Sequence, residues 1–145
     1  MTGGDDADSR HIVITGGNRG IGYALVGALS SRGDPVTFTA RNYDRGAAAL
    51  SRLRRENPRA QLSLELCDLT SVESIKSFAR KLVAEKRLVH TLVHNAGVLR
   101  APGERQLTAS GIEITLATNA LGPALLTTAL LPALAAAPAS RVLIL

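Results

Sequence analysis

Eleven residues, Ile12 to Gly22 (IVITGGNRGIG), constrain this chain more than any others. Ile12, Val13, Ile14 and Thr15 are all β-branched, and such stiff side chains favour a short buried strand. The run then breaks into Gly16, Gly17, Gly20 and Gly22, four glycines in seven positions. After Gly20 the apolar spacing becomes helical, which predicts Ile21, Ala24, Leu25, Ala28 and Leu29 on one buried face. The order is strand, glycine turn, helix. Backbone amides at the start of such a helix point into open space, and its dipole favours negative charge there. Glycines allow the sharp turn and let an anion approach without a Cβ in the way. The alternative is a glycine-rich turn that binds nothing. Four glycines so close together weaken a fold unless something needs the space, so an anion-binding turn is expected.

The rest of the chain repeats the alternation. Strands are predicted at His11–Thr15, Pro35–Ala40, Gln61–Leu66, Thr91–His94 and Arg141–Leu145. Helices are predicted at Gly20–Arg32, Asp44–Glu56, Ser71 to about Glu85, and Ile112 to about Leu134. Gly33 closes the first, Asn57-Pro58 the second, and Ser71 caps the third over a face of Ile75, Phe78, Ala79, Leu82 and Val83. Strands alternating with helices imply an α/β fold, a doubly wound parallel sheet with right-handed crossovers. With 145 residues and 46% hydrophobic content, one globular domain is expected over residues 10–145, without repeats or a linker. Met1–Ser9 is polar and acidic, unlike a signal peptide, and reads as a disordered tail on a cytoplasmic protein.

Composition excludes several classes. The net charge of +5 could suit nucleic acid, but the basic residues are scattered and aromatics make up only 3%, with no Trp to stack on bases. An anionic small ligand accounts for the excess equally well. Cys67 is the sole cysteine, so neither a disulfide framework nor a cysteine metal cluster is expected. Ile114 to Ser140 carries no charge and is long enough to span a bilayer. Asn119, Gly122-Pro123, Pro132 and Pro138 argue instead for a buried helix, and no membrane is expected.

The glycine spacing, Thr15-Gly16-xxx-Gly20-x-Gly22, resembles the TGxxxGxG turn of the short-chain dehydrogenase/reductase family, in particular its retinol-dehydrogenase-like members. The resemblance implies a Rossmann fold binding a nicotinamide dinucleotide at Thr15, Gly16, Asn18, Arg19, Gly20, Ile21 and Gly22. In dinucleotide folds the end of the second strand faces the adenosine ribose, where an arginine accommodates the 2′-phosphate. Here that residue is Arg41, and Arg19 stands where NADP-using family members also place a base. NADP is therefore expected over NAD; Arg45 is a weaker third candidate. Asp68, followed by Leu69, matches the family's adenine-contacting Asp, and equally suits a turn or helix cap. Asn95-Ala96-Gly97 matches the family's N-A-G signature, with Asn95 able to bridge strand backbones. Asn119 matches an asparagine that the family uses in a catalytic proton relay; a structural, hydrogen-bonded Asn is the alternative. His94, His11 and His90 are expected to be structural.

One part of the family pattern is missing. The family's catalysis needs a Ser after the fifth strand and a Tyr-x-x-x-Lys, the tyrosine acting as general acid/base with its pKa lowered by the lysine. Here Tyr23 is followed four residues later by Gly27, and Tyr43 by Ala47. The sequence is thus expected to be the cofactor-binding part of a longer chain, truncated after the start of the fifth strand and inactive alone. The complete protein would transfer hydride between NADP(H) and a small carbonyl or alcohol substrate, as a homo-oligomer that does not bind nucleic acid. A non-catalytic nucleotide-binding or interaction module is the alternative.

Overall fold

The computed structural model describes residues 10–101, 103 and 105–145, so the Met1–Ser9 tail lies outside the described residues. The elements are β1 (Ile12–Ile14), α1 (Gly20–Ser30), β2 (Val36–Ala40), α2 (Tyr43–Glu56), β3 (Leu62–Leu66), α3 (Val72–Ala84) and β4 (Thr91–His94). A helical stretch follows, made of α4 (Ile114–Leu116), a π-helical turn (Ala117–Leu121) and α5 (Gly122–Ala135), and then β5 (Arg141–Ile144). All strand pairings are parallel and the order is β3-β2-β1-β4-β5. Val13 sits between Thr37 of β2 and Leu92 of β4.

Parallel strands need crossover helices, which cover both faces of the sheet. On one face α1 and α2 enclose Ile12, Ile14, Val26, Phe38 and Leu53. On the other, α3 and α5 enclose Val13, Ile75, Phe78, Leu82, Leu92, Leu126 and Leu130. Each large apolar side chain so buried contributes roughly 1.5–3 kcal/mol as an upper estimate. Asn42 caps α2, its Oδ1 accepting from the Arg45 N–H at 3.0 Å, and Ser71 caps α3, its Oγ accepting from the Ser74 N–H at 3.2 Å. Glu113 caps α4 with both carboxylate oxygens, from the N–H groups of Thr115 and Leu116.

Three predicted helix faces differ from the structure; in α3 it is only Val83, expected inward, that is exposed. In α1 the inward residues are Gly22, Val26 and Ser30, while Ile21 is 72% exposed. The helix is rotated because Gly22 packs against the Gly16 carbonyl and Asn95, an approach that a Cβ at this position would block. The stretch Ile114–Ala135 is the one described helix long and apolar enough to cross a membrane. It buries one face, Leu126, Leu130, Ala133 and Leu134, and leaves Leu116, Leu121 and Leu131 about half exposed. β5 is exposed along its length.

Candidate functional site

The strand order reverses at β1: β2 and β3 lie to one side of it, β4 and β5 to the other. Loops leaving the carboxyl ends of strands diverge at such a point, and a crevice opens between them. Here the crevice has a volume of about 510 Å³, with walls formed by the loops after β1, β2, β3 and β4 and by Thr118.

The first wall is the glycine turn. Gly16 (φ +68°) and Gly20 (φ +55°) adopt the left-handed conformation that glycine takes without steric cost. A Cβ on Gly20 would meet nothing within 4 Å, so this position faces open space. Gly16, Asn18, Arg19, Gly20, Ile21 and Gly22 all line the crevice. Thr15 does not, contrary to expectation. Its side chain is fully buried and turned to β4, the hydroxyl accepting from the N–H groups of Asn95 and Ala96, both at 3.1 Å. Those amides leave the β-ladder where β4 ends and need a buried partner. Thr15 therefore positions the β4 loop rather than touching a ligand. Asn95 closes the same junction, its Nδ2 donating to the carbonyls of Thr15 (3.0 Å) and Gly16 (3.1 Å).

At the end of β2, Arg41 and Arg45 join Arg19 on the crevice wall. All three guanidiniums are exposed, and none takes part in an ion pair among the described residues. The N-terminus of α2, capped by the crevice residue Asn42, adds positive potential beside them.

At the end of β3, Cys67, Asp68, Leu69 and Thr70 line the crevice. Asp68 Oδ1 accepts from the Thr70 N–H at 2.9 Å and the Thr70 hydroxyl at 2.7 Å, a turn that leads into α3. Burial, with the Asp68 charge as a lesser cause, pushes the Cys67 thiol up to about 12, so it stays protonated and unreactive at neutral pH.

From the β4 loop, Asn95, Ala96, Gly97 and Val98 face the crevice. Asn119 is not brought to it. Its side chain clamps the loop from behind, Oδ1 accepting from the Val98 N–H at 2.9 Å and Nδ2 donating to the Val98 carbonyl at 2.8 Å. Nor is Asn119 buried; it is exposed, and both ends of its amide are engaged by backbone. His94 is buried with Nε2 at 2.8 Å from the Thr127 hydroxyl, and burial lowers its pKa. His11 lies at the opposite end of the sheet, away from the crevice. No cluster of metal-ligating side chains occurs among the described residues.

The sequence reading missed Thr39, Ala40, Asn42, Cys67, Thr70, Val98 and Thr118 on the wall. All but Thr118 lie within two residues of Arg41, Asp68, Leu69 or Gly97, so extending each strand-end motif by a residue or two would have found them. Thr118 carried no signal, because its direction depends on the π-helical turn.

Residues 10–145 match the family described as short chain dehydrogenase. Human retinol dehydrogenase 12 is 38% identical over 131 residues, covering 90% of this chain and 41% of the relative. The chain thus spans about two fifths of the length of that relative. A short-chain dehydrogenase from Streptomyces avermitilis superimposes with a TM-score of 0.78 at 28% identity, over 97% of this chain and 50% of the other. A metagenomic short-chain oxidoreductase solved in complex with NADP superimposes with a TM-score of 0.73 at 30% identity, over 93% and 61%.

Proposed function

The chain belongs to the short chain dehydrogenase family, and from that membership we propose that it binds NADP(H) in the crevice and serves a carbonyl/alcohol oxidoreductase. The observation that carries the choice of NADP is the convergence of Arg19, Arg41 and Arg45 on one wall. None of the three is committed to an ion pair among the described residues. The room for a dinucleotide is consistent with Gly20, where an added Cβ meets only open space.

In this reading the amides of the glycine turn and the α1 dipole hold the pyrophosphate. Arg41 and Arg19 hold the 2′-phosphate, each charged hydrogen bond contributing about 1.5–3 kcal/mol before solvent screening. Asp68 keeps one carboxylate oxygen in its turn and offers the other to the adenine amino group. Gly97 and Ala96 allow the ribose to pass close to the β4 loop, which Thr15, Asn95 and Asn119 hold in place. The bound cofactor supplies the hydride chemistry. Asn119 is assigned a positioning part in this scheme. The reading further includes a cytoplasmic location and self-association through the exposed face of Ile114–Ala135, testable by cell fractionation and by light scattering.

The deciding experiment is titration of the full-length protein, and of Arg41→Asp, with NADPH and NADH. NADPH should bind more tightly, and Arg41→Asp should remove most of that preference. Equal affinities in the wild type, or an unchanged preference in the variant, would refute the assignment. A nucleotide-binding module without turnover is the alternative, and measurable turnover that depends on a Tyr-x-x-x-Lys elsewhere in the full-length protein would decide against it.

A further inference from the structure

The π-helical turn over Ala117–Leu121 exchanges the parts that Thr118 and Asn119 would be expected to play. Asn119, the polar residue of this helix that stands out in the sequence, spends its whole amide on the backbone of Val98. Thr118, its neighbour, is 9% exposed and is the one residue of the Ile114–Ala135 helix on the crevice wall. Among the described residues only His90 Nδ1 and His94 Nδ1 are sealed from solvent without a hydrogen-bond partner. Thr118 makes no side-chain hydrogen bond among the described residues, and it lines the crevice while being otherwise nearly buried. A hydroxyl on the wall of a ligand cleft can donate one hydrogen bond and accept others there. Left unpaired by a ligand that displaces water, it would incur a desolvation penalty.

The position of Thr118 says which part of a ligand it meets. Arg19, Arg41 and Arg45 belong to α1, α2 and their entry loops, which cover one face of the sheet. Thr118 belongs to the helix that packs with α3 on the other face. It therefore stands across the crevice from the cationic wall. We infer that Thr118 is a binding residue for the part of the dinucleotide common to NADP and NAD, through a hydrogen bond from its hydroxyl to a polar atom of that part. This rests on the dinucleotide reading of the crevice. It predicts a division of labour: the arginine wall discriminates between the two cofactors, and Thr118 adds affinity for both alike.

The test uses the full-length protein with Thr118→Val, which keeps the shape and removes the hydroxyl, and Thr118→Ser, which keeps the hydroxyl. Dissociation constants for NADPH and NADH are measured by calorimetry, beside the melting temperature of each variant. Thr118→Val should weaken both cofactors by about fivefold, the effect of one neutral hydrogen bond. Thr118→Ser should stay within about twofold of wild type. Unchanged affinities in a folded Thr118→Val would overturn the inference. So would a loss confined to NADPH, which would move the contact to the 2′-phosphate, or a loss in Thr118→Ser as large as in Thr118→Val, which would show that the hydroxyl is not what carries the affinity. A wild-type protein that binds neither cofactor would instead overturn the dinucleotide reading, and this inference with it.

Discussion

Acid should unfold this protein earlier than its carboxylates require, because of His11. The ring is buried at the start of β1. Its Nδ1 lies 2.8 Å from the Leu88 carbonyl, which can only accept, so Nδ1 carries the proton. Nε2 is then the acceptor, facing the Thr37 hydroxyl at 2.8 Å and Arg87 Nη2 at 3.1 Å. A second proton would have to go on Nε2, taking away that acceptor and placing a cation out of water beside Arg87. Burial above all, with the Arg87 and His90 charges assisting and the Leu88 bond opposing, lowers the pKa from 6.5 to about 4. The unfolded chain therefore binds more protons than the native one between these values, and stability rises with pH across that window. The His11 contribution is fully present above about pH 6.5 and is lost as pH falls towards about pH 4. At about 1.36 kcal/mol per pKa unit, the loss reaches roughly 3 kcal/mol, a large part of the stability of a domain this size. The His94 pKa is also lowered by burial, which acts in the same direction. Urea unfolding at a series of pH values, for wild type and His11→Gln, separates the two. The variant should show a clearly shallower decline in stability between about pH 6.5 and about pH 4.5. A His11 ring that titrates near 6.5 by NMR in the native protein, or a variant with the wild-type pH slope, would refute the argument.

Two glycine substitutions should part stability from binding. Gly22→Ala drives a Cβ into the Gly16 carbonyl and Asn95 Nδ2. It should cost about 2–4 kcal/mol in thermal or urea unfolding. Gly20→Ala has open space but φ +55°, so it should cost only about 1 kcal/mol while weakening NADPH binding more than tenfold, on the order of the effect of blocking an anion's approach to the backbone. Asn119→Ala removes both hydrogen bonds to Val98. Hydrogen exchange should report markedly faster exchange at the Val98 amide than at Leu92 in the core of β4. The 145 residues by themselves should show no NADPH oxidation with carbonyl substrates, since no Tyr-x-x-x-Lys lies within them; steady turnover lost on mutating a residue among them would contradict this.

Local chemistry was enough to read the alternation of strands and helices and the glycine turn, while the strand-end motifs were legible through the family resemblance. β-branched runs, caps and glycines act on their immediate neighbours, and β4 (Thr91–His94) and the start of α1 at Gly20 follow from them residue for residue. In a parallel sheet the carboxyl ends of the strands gather at one edge. Arg19, Arg41, Asp68 and Ala96, spread through the sequence, could therefore be placed around one crevice in advance. Tertiary packing decided which way the individual side chains turn. Gly22 is drawn against Gly16 and Asn95, which rotates α1 and exposes Ile21. The unpaired amides of Asn95 and Ala96 turn Thr15 into the sheet. The need of Val98 for partners, met across a π-helical turn, takes Asn119 out of the crevice and puts Thr118 in it. The Thr15 and Asn119 side chains each bond a backbone group 21 or more residues away, and Gly22 makes a close approach between elements. Periodicity within a segment carries no information about such a group until the segments have docked.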